Sequence, residues 1–164
     1  MRAPGTLHFF CGKAGAGKST LAAALADERD AVLLSEDVWL SRLFGDQMQT
    51  FDDYIRFSRR LKTVVGPLVT DLLASGRNVV LDFQANTRAL RAWFLSVSSR
   101  AGAPHVLHFV DATDDTCLQR IARRNAERPE GSHHLSEEDF RHVTSFFEPP
   151  VEEGLTIQVH PEVA

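Results

Sequence analysis

Gly12-Lys13-Ala14-Gly15-Ala16-Gly17-Lys18-Ser19-Thr20 decides the reading of this chain. The pattern is G-x-x-x-x-G-K-[ST], and its fixed positions have physical reasons. Glycine reaches backbone angles closed to other residues and lets the main chain approach a ligand without a Cβ in the way. Successive N–H groups of residues 13–19 can then converge on one concavity that suits an anion. A helix starting near Lys18 would aim its unpaired N–H groups and positive dipole end at the same point. Lys18 supplies a mobile charge for β- and γ-phosphates, and the Ser19 hydroxyl is a hard oxygen ligand for Mg²⁺.

The flanking sequence fits that reading. Thr6-Leu7-His8-Phe9-Phe10-Cys11 is a short, largely apolar run expected as a buried central strand. Leu21, Ala22 and Leu25 follow at helical spacing. Strand, glycine-rich loop and helix thus come in the order a phosphate site requires.

A chain of 164 residues is expected to form one domain, residues 1–164. With 43% hydrophobic and 24% charged residues, it reads as globular. No apolar run approaches the length of a membrane span, and Met1–Gly5 leaves little room for a leader ahead of the first strand. Cys11 and Cys117 are expected to be packing thiols, which suits a cytoplasmic protein. A net charge of −4 argues against gripping long nucleic acid by its phosphates, without excluding a local basic pocket. The sequence shows no linker or repeat, and it does not reveal the oligomeric state.

Ala31–Leu34 reads as the second strand, ending in Ser35-Glu36-Asp37. In open α/β sheets ligands sit beyond the carboxyl ends of strands, so Asp37 is placed to reach bound phosphates. It could accept a proton from an acceptor hydroxyl, hold Mg²⁺ through water, or cap the helix that follows. Val38, Trp39, Leu40, Leu43 and Phe44 are either core or the wall of an acceptor pocket.

A long helix is expected from Phe51 to Ser75, opened by a capping-box-like Thr50 and Asp53 and bent or broken at Gly66-Pro67. Arg56, Arg59 and Arg60 fall near one face, where Arg56 and Arg60 could read an anionic acceptor or merely be solvated. Val79-Val80-Leu81-Asp82 is an apolar strand ending in an acid suited to the shell of Mg²⁺. Asn86, just beyond, could touch substrate, and either it or Thr87 caps the next helix. Trp93 reads as core, as does His108, in the fourth strand among apolar neighbours.

The helix opened by Thr113 or Asp114 carries Arg120, Arg123, Arg124 and Arg128, then a polar loop. Arginine forks suit phosphoryl oxygens, so Arg120 and Arg124, one turn apart, are expected on a hinged lid of about residues 120–136. The adjacent pair His133-His134 lacks the spacing of metal ligands on a helix. Ser136 and Asp139 open a helix expected to reach Phe147, and Leu155–Val159 is the last strand.

Together, Gly12–Thr20, Ser35-Glu36-Asp37, Val80-Leu81-Asp82 and the helix from Asp114 to Arg128 make the chain resemble the small P-loop kinases of the nucleoside-monophosphate-kinase-like class. Within it the chain is most similar to the AAA-type ATP-binding kinase group, with relatives such as chloramphenicol phosphotransferase, gluconate kinase and zeta toxin. The resemblance implies a three-layer α/β P-loop NTPase fold: a five-stranded parallel sheet of order 2-3-1-4-5, with helices on both faces and a short lid. It implies ATP and Mg²⁺ as cofactors. Gly12–Thr20 (the Walker A motif), Arg120 and Arg124 would bind ATP, and Ser19 and Asp82 would hold the metal. Asp37, Lys18 and Arg124 would be catalytic, with a small-molecule hydroxyl as acceptor. Where polynucleotide kinases and zeta toxins carry arginine three residues after the catalytic acid, this chain has Leu40, which argues against a nucleic-acid end. A kinase of a nucleoside, nucleotide or nucleic-acid end, or a nucleotide-gated binding module with weak ATPase activity, are the alternatives.

Overall fold

Strict alternation along the first strand builds the two faces of the sheet. In β1 (Leu7–Cys11), all five residues are buried. Leu7, Phe9 and Cys11 join one core cluster, whereas Phe10 belongs to another. A strand buried on both faces requires helices on both sides. The structure, a computed structural model, describes residues 2–162.

The chain continues as α1 (Lys18–Glu28), β2 (Val32–Ser35), α2 (Glu36–Phe44), α3 (Phe51–Ala74) and β3 (Val79–Gln84). Then come α4 (Arg88–Ala101), β4 (His105–Val110), α5 (Asp114–Glu127), α6 (Glu137–Thr144) and β5 (Ile157–His160). The five strands pair in the order β2-β3-β1-β4-β5, every pair parallel, as the resemblance implied. β1 lies between β3 and β4, so the loop leaving it opens at the switch point of the sheet.

On one face, α3 contributes Phe57, Leu61, Val65, Val69 and Leu73, and α4 contributes Phe94 and Val97. Phe9 and Phe94 stack with ring centroids 4.6 Å apart. On the other face, Ala22 and Leu25 of α1 cover Phe10 and Val80. A row of histidines crosses three strands: His8 Nδ1 lies 2.9 Å from His108 Nε2, and His108 Nδ1 lies 2.8 Å from His160 Nε2. His108 is fully buried, and burial with two neighbouring imidazoles pushes its pKa down to about 3.

Several expected boundaries change. Pro67 does not break α3, which runs through it unbroken. The proline removes the hydrogen bond to the Thr63 carbonyl, but Thr63, Val64 and Pro67 are exposed, so water can satisfy that group. Asp37 is not the cap of α2. Ser35 occupies that position and Asp37 stands inside the first turn. Helix α6 stops at Thr144, short of Phe147, and β5 is displaced toward the C-terminus of the expected strand.

The segment after α6 is strapped down by Arg91, the largest fully buried side chain. Its Nε donates to both Glu152 carboxylate oxygens at 2.9 and 3.0 Å, and its Nη1 donates to the carbonyls of Ala85 and Glu148, each at 3.0 Å. A buried charge is tolerated when paired and hydrogen-bonded in this way.

Candidate active site

The loop between β1 and α1 takes the shape its glycines allow. Gly15 and Gly17 have φ of 77° and 104°. A Cβ on Gly15 would lie 2.6 Å from the Cys117 carbonyl of α5, so glycine there permits the lid helix to pack on the loop. Asn86, beyond β3, accepts a hydrogen bond from the Gly12 N–H through its Oδ1 at 2.9 Å. It therefore braces the loop, which sequence reasoning had not assigned to it. The Gly15 and Gly17 N–H groups have no protein acceptor among the described residues and remain open to an anion.

Lys18 opens α1. Its ammonium donates to the Gly12 carbonyl and, at 3.2 Å, to the Lys13 carbonyl. Burial lowers its pKa, and the charges of Asp82 and Asp37 oppose the drop. Lys13 points away, paired with Asp114 at 2.8 Å, leaving only its backbone for a phosphate. Thr20 is exposed on α1.

Asp82, in β3 (register Ser35↔Asp82 with β2), stands beside the Ser19 hydroxyl. Burial raises the pKa of Asp82, while Ser19 and Lys18 oppose the rise. A hydroxyl and a partly buried carboxylate are hard oxygen donors of the kind Mg²⁺ takes alongside phosphate and water. These two residues therefore fit the ion.

Asp37 stands in the first turn of α2. Although solvent reaches it, surrounding protein pushes its pKa up to about 6, with Glu36 and Asp82 adding to the rise and Arg124 and Lys18 opposing it. Glu36 itself is 2% exposed and turned inward, accepting hydrogen bonds from Tyr54 at 2.5 Å and Ser58 at 2.7 Å. It ties α2 to α3, and its charge acts on Asp37 through space.

Helix α5 completes the enclosure. Arg120 donates to the Ala16 carbonyl at 2.7 Å, clamping the lid helix to the phosphate loop. Arg124 has a buried Nε without a hydrogen-bond partner, and its charge acts on Asp37. An orphaned buried donor of this kind is costly unless a ligand meets it. Beyond α5, Gly131 is buried at φ 80°, and a Cβ there would lie 3.0 Å from the Asp37 carbonyl carbon. Arg42 of α2 holds the adjacent Glu130 through a two-pronged pair at 2.6 and 3.0 Å.

A family model described as an AAA domain, AAA_33, matches residues 7–150. The chain belongs to the AAA_33 family. No curated protein matches the sequence. Among solved structures, this AAA_33 chain is similar to a candidate kinase from Chloroflexus aurantiacus, with 22% identity, a TM-score of 0.76, and coverage of 98% of this chain and 86% of that one. A gluconokinase from Sinorhizobium meliloti shares 18% identity at a TM-score of 0.61, covering 98% of this chain and 84% of the other. The APS kinase CysC of Mycobacterium tuberculosis, solved with AMPPNP and APS, shares 21% identity at a TM-score of 0.66, covering 95% and 88%. The fold is that of the small P-loop kinases.

In the AAA_33 chain, the charges of Lys18, Asp82 and Arg124 all act on Asp37, Asp82 stands beside Ser19, and Arg120 touches the loop itself. Arg56 and Arg60 do not join that group through any recorded contact. Arg56 pairs with Asp53 at 3.6 Å and lies over Phe57, and Arg60 lies over Phe44 and Phe57. The residues missed were Glu130 and Gly131. Their only signal was a glycine next to an acid in the polar loop after the arginine-rich helix. No helix among the described residues is long and apolar enough to cross a membrane.

Proposed function

We propose that this AAA_33 chain is an ATP- and Mg²⁺-dependent phosphotransferase that moves the γ-phosphate of ATP to a hydroxyl of a small molecule. The observation carrying this reading is that the loop leaves the Gly15 and Gly17 N–H groups open next to Lys18, while the charges of Lys18 and Arg124 act on Asp37. The loop N–H groups and Lys18 hold the β- and γ-phosphates. Ser19 and Asp82 would hold Mg²⁺, which offsets phosphate charge when bound. Asp37 orients the acceptor hydroxyl and takes its proton as the hydroxyl oxygen bonds to the γ-phosphorus and ADP leaves. Arg124 meets the charge on the transferring group, and Arg120 keeps the lid helix on the loop.

Gly131 against the backbone at Asp37 limits the room beside the base, which favours a small acceptor over a nucleic-acid end. The net charge of −4 favours it too. Two buried free thiols suit a cytoplasmic setting.

The test is transfer from γ-labelled ATP to a pooled library of alcohols, sugars, antibiotics, nucleosides and short oligonucleotides, with Lys18→Ala as control. A labelled product that vanishes in the control supports the proposal. ATP binding with no labelled acceptor from any pool would instead favour a nucleotide-gated binding module.

A further inference from the structure

Outside the site already described, the strongest unassigned feature is a groove of ≈330 Å³ between α3 and α4, lined by Arg59, Lys62, Gly66, Trp93 and Arg100 with two hydroxyl residues. We propose that this groove is a second ligand site, which takes the phosphate group of a small molecule.

The groove collects three cations from two helices in a protein whose net charge is −4. No carboxylate lines it, and none of the three cations is ion-paired among the described residues. Lys62 is half-buried, its Nζ 5.3 Å from the centre of the Trp93 ring. Burial lowers its pKa and neighbouring Arg59 lowers it further. The one nearby acid that opposes this is Glu36, whose oxygens are already committed to Tyr54 and Ser58. Cations crowded this way at a partly dehydrated surface are stabilised by an anion with several acceptor oxygens.

The remaining lining residues define what fits. The hydroxyl hydrogens of Thr63 and Ser96 are spent on carbonyls of their own helices, at 2.6 Å each, so these side chains do not compete as donors. Trp93 already has Lys62 over its ring and stacks on Phe83 at 6.2 Å. It therefore offers its indole N–H, which has no acceptor among the described residues, more than a free face. Gly66 keeps that edge open: a Cβ there would come within 3.6 Å of the Trp93 ring. The donors left are two guanidinium forks, an ammonium and an indole N–H, a set that suits tetrahedral phosphate oxygens. The volume, several times the ~30 Å³ share of one water, leaves space for the organic part of the molecule. The site does not depend on the kinase reading. Lys62 lies about one helical turn beyond Ser58, toward the far end of α3 from the Glu36 contact.

The test uses pyrophosphate as the probe. Trp39 and Trp93 are the two tryptophans, so Trp39→Phe leaves Trp93 as the sole indole reporter. Lys18→Ala in the same protein weakens the competing phosphate loop. Saturable change in Trp93 fluorescence at sub-millimolar pyrophosphate, at constant ionic strength, is expected. Lys62→Gln, Arg59→Gln and Arg100→Gln should each weaken it by about tenfold, the worth of one charge-assisted contact. Arg59 and Arg100 are exposed, so their replacement should leave the melting temperature unchanged. No saturation by about 10 mM, or an affinity indifferent to all three variants, would overturn the proposal.

Discussion

Gly131 of the lid loop sits on the backbone of Asp37, close enough that a methyl group would press on it at 3.0 Å. The side chain proposed here as the base thus belongs to a residue whose backbone is touched by the loop that follows the arginine-rich helix. Gly131→Ala should lift that loop. The substitution combines a tight contact with an alanine at positive φ, a strain of roughly 1–3 kcal/mol that local opening of the loop would relieve. Turnover is expected to fall at least about tenfold while the melting temperature changes little. Equal turnover in the variant would show that closure at this point is not used.

The pair between Arg42 and Glu130 should behave as a weak catch. Both side chains are more than half exposed, so solvent screens the pair and it contributes little to stability. Arg42→Glu alone should increase proteolytic cutting in residues 128–136, and adding Glu130→Arg should reverse the increase. High salt should mimic the single variant.

Asp37 predicts both a pH profile and a stability change of opposite sign to its catalytic use. As a base it must be ionised, so kcat/KM should fall as pH drops below about 6. Its folded pKa lies above the ordinary 3.8, so the folded state holds this proton more tightly than the unfolded chain does. The associated stability is present below 3.8 and lost as pH rises through about 6. Asp37→Asn should therefore melt higher than the wild type at pH 8, with the difference shrinking below pH 4, while losing most of its turnover. Thermal unfolding across that range checks the sign.

His108 shows the opposite linkage. Its pKa falls from 6.5 to about 3, so the unfolded chain takes the proton first. The stability it contributes is full above 6.5 and is lost as pH falls toward 3. His108→Gln supplies one donor and one acceptor to His8 and His160 without a titrating group. The acid limb of the melting profile should become shallower in this variant.

Arg91→Ala should be among the most destabilising single changes. It removes two carbonyl contacts from Nη1 and leaves the buried Glu152 carboxylate without its cation. Breaking a buried pair from one side costs about 3–5 kcal/mol. Chemical denaturation should show a loss of this size, and Arg91→Met should recover part of it.

Some of this architecture was legible because it is written locally. The Gly12–Thr20 spacing specifies a loop and a helix start, and Asp37 and Asp82 could be placed because strand ends in such sheets point at the ligand. The capping boxes at Thr50 and Ser136 are likewise contacts over three residues. What escaped was made by partners far apart in the chain. Glu36 stands next to Asp37 with no local sign of a role of its own, yet Tyr54 and Ser58 turn it into a tie between helices. Asn86 read as a substrate contact, yet its Oδ1 is used on Gly12. Arg91 carried no sign of its burial, because the carboxylate that admits it to the core, Glu152, lies beyond three intervening elements, β4, α5 and α6. Pro67 obeyed its local rule, but solvent on that side of α3 removed the penalty expected of it.

The brace from Asn86 to Gly12 also has a consequence for the nascent chain. β1 is synthesised first but lies in the middle of the sheet, and both of its neighbours, β3 and β4, emerge much later. The glycine-rich stretch therefore leaves the ribosome long before the residue that fixes its first N–H. A stalled chain ending before β3 would carry the whole motif and no binding site. Nucleotide capture during synthesis should begin only after Asn86 has emerged, and it then reports that the centre of the sheet has closed.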